Sequence, residues 1–224
     1  MKSSVLVLLN LVMLLVHANA QSIKLNLERL EPIQASMSIQ TIAGKQALRV
    51  LKDTSVKQVD EPTFVKLRDI DFHNGIIEVK VLSRLLKDAP EYARGFIGVS
   101  FRVNKQNSEY ESIYIRPTNG QADDQVRRNH SIQYYSYPDY KFDRLRKEAP
   151  EKYESYADMA LDQWITLRIQ VRDSYAKLFI NDSPQPSLVV NDLKLGSDMS
   201  GGIALWVEVD TERYFSDIKI SKQN

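Results

Sequence analysis

An all-β fold of two packed antiparallel sheets, with one short helical excursion, is what the sequence predicts. From residue 36 onward, apolar and polar residues alternate with period two in many short segments. Turn-forming residues separate these segments, and few stretches show the period of a helix. Because short alternating segments are typical of strands that bury one face, a long series of them favours a β-sandwich.

Nine segments alternate clearly enough to be predicted as strands. In each, side chains of one parity are apolar and are expected to face the core, while those of the other parity point outward. In chain order, the predicted strands cover residues 64–70, 77–81, 97–103, 112–116, 131–135, 164–171, 176–180, 203–208 and 214–220.

Two dipeptides predict tight turns, and one charged segment predicts short helices. Asn74-Gly75 is a strong hairpin signal, and a short turn is expected near Asp173-Ser174. Residues 140–161 are rich in Lys, Glu, Arg and Tyr. They contain two candidate helices, at 143–148 and 151–159, interrupted by a proline. We expect this excursion to leave the sandwich and lie over one sheet.

The first twenty residues have the features of a secretory signal. Lys2 supplies a positive charge, residues 5–16 are apolar apart from one asparagine, and small residues precede Gln21. We therefore predict a signal peptide at 1–20, a single β-sandwich domain at 21–224, and a secreted or periplasmic location. No second apolar segment follows, so we expect no membrane span.

Composition excludes several classes of function. Without Lys2, Lys plus Arg falls from 30 to 29 against 29 Asp plus Glu, so the predicted mature chain is near neutral and nucleic acid is not expected as a partner. The basic pieces Arg127-Arg128 and 144–147 are interleaved with acids and are interpreted as solvated surface. The chain has no cysteine, and only His73 and His130 follow residue 20, so we predict neither a metal site nor another cofactor.

Five short pieces of sequence, in this order, resemble a known fold family. They are YESIYIRP at 110–117, HSIQY at 130–134, WITLRI at 164–169, AKLFI at 176–180 and GGIALW at 201–206. The likeness covers roughly residues 36 to 221. It resembles the concanavalin A-like, laminin G-like jelly rolls of secreted bacterial proteins, and most of all the domains named after 3-keto-disaccharide hydrolases. The resemblance implies a jelly-roll sandwich.

Two departures separate the chain from the more typical members of that family. Those members carry an Asn-Ser-Gly run before a strand arginine and a glutamate two residues before a later glutamine. Here the arginine corresponds to Arg116 and the glutamine to Gln133, but the Asn-Ser-Gly run is absent and Ser131 stands in place of the glutamate. The resemblance therefore implies the fold, and hydrolase activity is kept as an alternative.

The concave outer face of a jelly roll is a common glycan-binding surface, and alternation predicts which side chains point to it. Trp206 and Tyr135 are the candidates for stacking on the apolar face of a sugar ring. Polar candidates that satisfy sugar hydroxyls are Tyr114, Arg116, Gln133, Arg102 and Glu208. Gly98, on the same face, is expected to leave room for a ligand. Trp164 points the other way and is interpreted as packing.

Two acidic patterns are weighed as catalytic sites. Residues 208–212 read Glu-Val-Asp-Thr-Glu, which matches the spacing of laminarinase-type hydrolases, but the same residues are interpreted as a turn between strands. Glu78 and Glu208 are the candidates for a catalytic pair across the concave face. His130 in its polar loop is a third candidate acid or base.

The sequence leaves three functions open. The first is a secreted module that binds an oligo- or polysaccharide on its concave sheet. The second is a glycoside hydrolase or 3-keto-glycoside-processing enzyme of the same fold. The third is a protein-adhesion or structural domain.

Overall fold

Two antiparallel β-sheets face each other in the structure, a computed structural model that describes residues 20–209 and 211–223. The first eight strands are β1 (Gln21–Ser22), β2 (Leu30–Ile33), β3 (Ala35–Ile42), β4 (Lys45–Lys52), β5 (Phe64–Leu67), β6 (Asn74–Leu85), β7 (Ile97–Val103) and β8 (Tyr110–Ile115). The others are β9 (Ile132–Tyr137), β10 (Glu154–Ser155), β11 (Ile165–Arg172), β12 (Tyr175–Ile180), β13 (Leu188–Val190), β14 (Gly202–Val207) and β15 (Thr211–Gln223).

Eight strands form one sheet and seven form the other. The eight-stranded sheet has the order β13-β12-β11-β6-β15-β4-β3, with β1 also pairing to β15. The seven-stranded sheet has the order β10-β9-β8-β7-β14-β5-β2. Strands that follow each other in sequence often lie in different sheets, as β5 and β6 do and as β14 and β15 do. This crossing between sheets gives the sandwich its jelly-roll character and confirms the predicted fold class.

The core lies between the two sheets. It is formed by the alternate, apolar side chains of each strand. From the eight-stranded sheet, β6 contributes Ile77, Val79 and Val81, and these side chains are almost completely buried. Opposite them, Val99 of β7 and Leu205 of β14 pair with each other and are also buried. The alternation seen in the sequence therefore reflects which side chains face this core.

Helical structure is short and lies mostly on the side of the seven-stranded sheet. A 3₁₀ turn spans Leu27–Arg29, and the helices are α1 (Pro117–Gly120), α2 (Gln125–Asn129) and α3 (Phe142–Glu148). Asp124 caps α2 by accepting a hydrogen bond from the backbone N–H of Arg127 at 2.6 Å. Leu145 of α3 is buried and belongs to the hydrophobic core. The excursion predicted at 140–161 is therefore tied to the sandwich by its first helix.

The structure corrects two local predictions. Asn74-Gly75 is not a hairpin: Phe72 bridges Gly201 of the seven-stranded sheet, and β6 begins at Asn74 in the other sheet, so the dipeptide lies where the chain changes sheets. Residues 151–159 are not a helix, because residues 154–155 pair with β9 as a strand. The turn at Asp173 is confirmed between β11 and β12.

The predicted signal peptide lies outside the described residues except for Ala20. Within the described part of the chain, no helix combines the length and apolar character needed to cross a membrane.

Candidate functional site

Aromatic side chains fill the outer face of the seven-stranded sheet, which points away from the sandwich core. Gly98 of β7 pairs with Tyr114 of β8 on one side and with Trp206 of β14 on the other, and this register gathers the rings. The Trp206 ring lies 4.8 Å from the Tyr114 ring and 5.6 Å from the Tyr135 ring, centroid to centroid. All three side chains are buried. These predicted binding residues therefore share one face, and that face is covered.

Two segments cover these rings: the loop before β5 and the segment that contains α3. Trp206 donates its indole N–H to the carbonyl oxygen of Glu61 at 3.0 Å. The backbone N–H of Phe142 donates to the carboxylate of Asp60 at 3.1 Å, which joins the two covering segments. The sequence predicts Trp206 and Tyr135 as platforms for a sugar ring, and the structure corrects this because neither ring is accessible.

Gly98 is also filled rather than open. A Cβ built on Gly98 would lie 2.4 Å from the carbonyl oxygen of Ile113 and 2.5 Å from the Cβ of Tyr114. The missing side chain therefore allows the neighbouring strand and its aromatic residues to approach, and it leaves no space for a ligand.

Arg116 follows β8 and connects three of the predicted polar residues. Its guanidinium donates to the Tyr114 hydroxyl at 2.8 Å and to the Gln133 side-chain oxygen at 3.2 Å. It also donates to the carbonyl oxygen of His130 at 2.8 Å and lies 3.6 Å from the carboxylate of Glu154. These contacts hold Arg116 rigidly at the edge of the aromatic face.

Beside Arg116 a cavity of about 660 Å³ opens to solvent. This volume lies within the range of small-molecule sites, about 300–1,000 Å³. Of the predicted site residues, Tyr114, Arg116 and Glu208 line it, whereas Gln133, Tyr135 and Trp206 do not. The other lining residues are Val59, Asp60, Tyr92, Arg94, Phe96, Asn119, Asp124, Val126, Arg127, His130, Phe142, Arg146 and Val209.

Apolar side chains at this cavity are exposed, unlike the buried aromatic face. Tyr92 is 64% exposed and Val126 is 65% exposed, and Val59 also stands among the exposed large hydrophobic residues. Tyr92 belongs to the loop between β6 and β7, Val126 to α2, and Val59 to the loop before β5. Three separate segments therefore present apolar surface around one opening.

Four guanidinium groups converge on the same cavity. Arg127 comes from α2 and Arg146 from α3, while Arg94 lies in the loop before β7 and Arg116 follows β8. Burial, together with the nearby charges of Arg127 and Arg116, lowers the pKa of Arg94. Arg127 and Arg146, which the sequence interpretation takes as solvated surface, are partly exposed and line this open cavity.

His130 lines the cavity with its imidazole 3.5 Å from the Glu154 carboxylate. Burial lowers the pKa of His130, and the Glu154 charge opposes this effect only in part. This shift favours the neutral imidazole, in which one ring nitrogen donates a hydrogen bond while the other accepts one.

Asp60 is a buried carboxyl group at the cavity wall. Burial raises its pKa to about 7, the Glu208 charge adds to this effect, and the hydrogen bond from the Phe142 N–H opposes it. The backbone of Asp60 has a positive φ of 53°, in the left-handed region. Near neutral pH this carboxyl group can therefore either hold or release a proton.

Both carboxylate oxygens of Glu208 are engaged by groups of the protein itself. One oxygen pairs with the ammonium group of Lys52 and accepts the backbone N–H of Val209 at 2.9 Å. The other accepts the backbone N–H of Asp60 at 3.0 Å. Both side chains of the ion pair are nearly fully buried, at 5% and 4% exposure. These contacts assign Glu208 to fastening the loop before β5 onto the end of β14.

The predicted pair of Glu78 and Glu208 is not formed. Glu78 lies on β6 in the eight-stranded sheet, whereas Glu208 follows β14 in the seven-stranded sheet. Glu78 instead forms a part-exposed ion pair with Lys219 at 2.8 Å on the neighbouring β15. Alternation predicts which face of a strand a residue occupies, but it does not assign the strand to a sheet.

Arg102 does not reach the outer face either. It has a positive φ of 54°, and the pairing of β7 with β14 shifts register near this point. Such an irregularity redirects a side chain. The buried guanidinium donates to the carbonyl oxygens of His73 at 3.0 Å, Gly196 at 2.9 Å and Asp173 at 2.8 Å. Arg102 therefore joins three loops.

The acidic motif at 208–212 does not place its acids on one strand. Glu208 follows β14, and Glu212 belongs to β15 of the other sheet, where it pairs with Arg49 at 2.5 Å. Asp210 is outside the described residues. The segment connects the two sheets, so it is a connection between strands as expected, although not a hairpin within one sheet.

Trp164 packs beside a small cluster on the outer face of the eight-stranded sheet, formed by Ala47, Leu82 and Tyr214. This position agrees with its interpretation as a packing residue. Among the described residues, no group of three or more His, Asp or Glu side chains is arranged to hold a metal ion.

Sequence reasoning missed Tyr92, Arg94 and Asp60 as cavity residues. All three lie in loops, where the period-two pattern carries no information. Only the positions of these residues in the chain could have indicated a role, because the loops before β5 and β7 each precede a strand of the seven-stranded sheet. An exposed tyrosine within such a loop is a candidate contact residue.

No family model matches the chain, and no curated protein matches its sequence. Solved structures with a similar fold were found. The carbohydrate-binding module CBM66 from Bacillus subtilis aligns with a TM-score of 0.54 at 10% identity, covering 85% of this chain and 97% of the module. A candidate glycosyl hydrolase from Parabacteroides distasonis aligns at 0.52 with 11% identity, covering 89% and 90%.

A third structure, a protein of unknown function with a galectin-like fold from Bacillus subtilis, aligns at 0.52 with 10% identity, covering 87% of this chain and 90% of that one. At such low identity these similarities show the fold alone. The chain is therefore similar in fold to galectin-like, carbohydrate-binding-module and glycosyl-hydrolase-type β-sandwiches.

Proposed function

We propose that this protein binds a glycan in the cavity beside Arg116. The observation that carries the proposal is the exposed ring of Tyr92 at a cavity that also holds polar and charged side chains. A sugar ring has one apolar face and a rim of hydroxyl groups, so it needs an aromatic surface next to hydrogen-bonding groups. Tyr92, rather than Trp206 or Tyr135, is the accessible aromatic residue in this part of the structure.

The polar walls suit hydroxyl groups. The imidazole of His130 offers hydrogen-bonding nitrogens, and Asp60 offers a carboxyl group. Arg116 is fixed by its bonds to Tyr114 and Gln133, so it presents its guanidinium without a large loss of side-chain freedom. Two proteins of similar fold are a carbohydrate-binding module and a candidate glycosyl hydrolase, which supports a glycan as the partner.

The proposed site lies at one end of the seven-stranded sheet and not on its outer face. The sequence predicts a surface on the concave face, yet the loop before β5 and α3 bury the rings there. The cavity lies where these two segments stop covering the sheet. Export remains part of the proposal: the signal peptide predicted at 1–20 would bring the protein to extracellular or periplasmic glycans.

The proposal is tested by native mass spectrometry of the protein with a panel of oligosaccharides, reading the bound fraction and any products together. We expect a sugar to be retained intact. Tyr92→Ala should weaken that binding about tenfold, the effect of removing one aromatic contact. Tyr175→Ala is the matched control, because Tyr175 lies on β12 of the other sheet and does not line the cavity.

If the protein retains a sugar and Tyr92→Ala and Tyr175→Ala weaken its binding equally, the sugar binds outside this cavity. If no oligosaccharide in the panel is retained, the glycan proposal is wrong, and protein adhesion becomes the remaining reading of the fold.

One observation favours a second candidate function, a glycoside-processing enzyme. A carboxyl group with a pKa of about 7 in a cavity is suited to act as a general acid or base, and Asp60 meets that description. In that case the panel would yield a cleaved or eliminated product, and Asp60→Asn would abolish product formation while the sugar still bound.

A further inference from the structure

Positive charge exceeds negative charge around the cavity once internal ion pairs are counted. Arg94, Arg116, Arg127 and Arg146 line it, against Asp60, Asp124 and Glu208. Lys52 neutralises Glu208. Glu154, behind the wall, pairs with both Arg116 and Arg146, so a single carboxylate serves two guanidinium groups.

Two of these arginines have no carboxylate partner at ion-pair distance among the residues that the structure describes. Arg127 donates to the side-chain oxygens of Asn119 at 3.0 Å and Thr118 at 3.2 Å. Arg94 donates to the carbonyl oxygens of Glu91 and Ala93. Neutral oxygens hold both groups in place, and the charge of Glu91 offsets that of Arg94 only in part.

The acidic side chains at the cavity do not cancel the positive charge of the four arginines. Near neutral pH, Asp60 is only partly ionised, because its pKa is about 7. The side chain of Asp124 caps α2 through the Arg127 backbone N–H, so this carboxylate offsets one of the four arginine charges at most. Burial is the main cause that lowers the pKa of Arg94, and the charges of Arg127 and Arg116 lower it further because these guanidinium groups repel that of Arg94. An anion between them would relieve this repulsion.

We propose that the cavity selects an anionic saccharide, one that carries a carboxylate or a sulfate group, with the anion between Arg94 and Arg127 and the sugar ring on Tyr92. A planar guanidinium binds either anion through two parallel hydrogen bonds, which favours arginine over lysine at such a site. This inference rests on the proposed glycan-binding function and narrows its ligand class.

The test uses matched pairs of ligands that differ only in charge: oligogalacturonate against its methyl ester, and a sulfated oligosaccharide against its desulfated form. Affinities are measured by isothermal titration calorimetry. The charged member of at least one pair should bind about 10- to 100-fold tighter, as expected for one charge-assisted contact. Its affinity should also fall as NaCl rises from about 50 to about 500 mM. The pair that shows the difference identifies the anion as carboxylate or sulfate.

Arg127→Gln should abolish most of this preference, so that the charged member binds little more tightly than the neutral one. Arg128→Gln is the matched control, because the next arginine of α2 stacks on Tyr156 at 4.9 Å and does not line the cavity. Arg127→Lys, which keeps the charge but loses the two-pronged geometry, should bind with intermediate affinity. Circular dichroism and the thermal midpoint of each variant establish that it is folded.

The outcomes separate the two proposals. If charged and neutral members bind equally and Tyr92→Ala weakens both, the anion inference is wrong and glycan binding stands. If inorganic sulfate binds as tightly as the charged saccharide, the site is a simple anion site and the inference is wrong. If no saccharide binds at all, both proposals fail.

Discussion

Glu208 and Glu78 are the two acids that the sequence offers as catalytic candidates, and the structure predicts opposite consequences for their neutralisation. Glu208→Gln removes the charge that balances the buried ammonium group of Lys52. Breaking a buried ion pair by removing one partner costs about 3–5 kcal/mol, because the other charge is left without compensation. The unfolding free energy of Glu208→Gln should therefore fall by about 3 kcal/mol or more. For a domain of about 200 residues this lowers the thermal midpoint by roughly 6–12 °C.

Glu78→Gln is the matched control, because its partner Lys219 is 50% exposed and Glu78 itself is 31% exposed. A surface pair of this kind contributes about 0–1 kcal/mol. Urea unfolding of both variants, followed by tryptophan fluorescence, measures the difference. Lys52→Met in the Glu208→Gln background removes the orphaned charge, so the double variant should be more stable than Glu208→Gln alone. Equal stability of Glu208→Gln and the wild type would refute the structural role of Glu208.

Three further predictions concern Asp60, Arg102 and Gly75. The pKa of Asp60 rises from 3.8 to about 7 on folding, so its favourable contribution is complete below about pH 4 and is lost as pH rises through 7. Between pH 5 and pH 8 the unfolding free energy of the wild type should fall by about 3 kcal/mol relative to that of Asp60→Asn, as measured by urea unfolding. If the unfolding free energies of the two proteins change in parallel with pH, the raised pKa is contradicted. Arg102→Met leaves three carbonyl oxygens without their donor and should cost at least about 3 kcal/mol, whereas a loss below about 1 kcal/mol would contradict its bridging role. In Gly75→Ala the new Cβ would lie 1.9 Å from the Ser221 carbonyl oxygen, so the thermal midpoint should drop far more than in Gly44→Ala, whose Cβ would meet open space.

The alternation of residues was enough to predict the fold class and most strands of the sandwich. The strand predicted at 97–103 coincides with β7. The alternation correctly indicates that Val99 and Phe101 are buried. Asn74-Gly75 misled the prediction, since local turn propensity cannot distinguish a hairpin from a passage between sheets. The close packing of Gly75 against Ser221, almost 150 residues away, is a tertiary requirement that local sequence does not show.

The candidate site could be predicted less well from the sequence, because loops decide which surface is open. Alternation places Trp206 and Tyr135 on an outer face, but only the three-dimensional course of the loop before β5 and of α3 decides whether that face is open. Arg116 was selected by resemblance and does line the cavity. Tyr92 and Arg94 lie in an irregular loop, and their approach to Arg127 of α2 depends on tertiary structure.

The central claim is that the cavity beside Arg116 holds a sugar, and a crystal structure of the protein with the oligosaccharide that it retains most strongly tests this directly. We expect electron density for a sugar ring against Tyr92, with its polar groups directed toward Arg94, Arg116 and Arg127. A sugar bound on the outer face of the eight-stranded sheet, or density at Trp206 after displacement of α3, would contradict it.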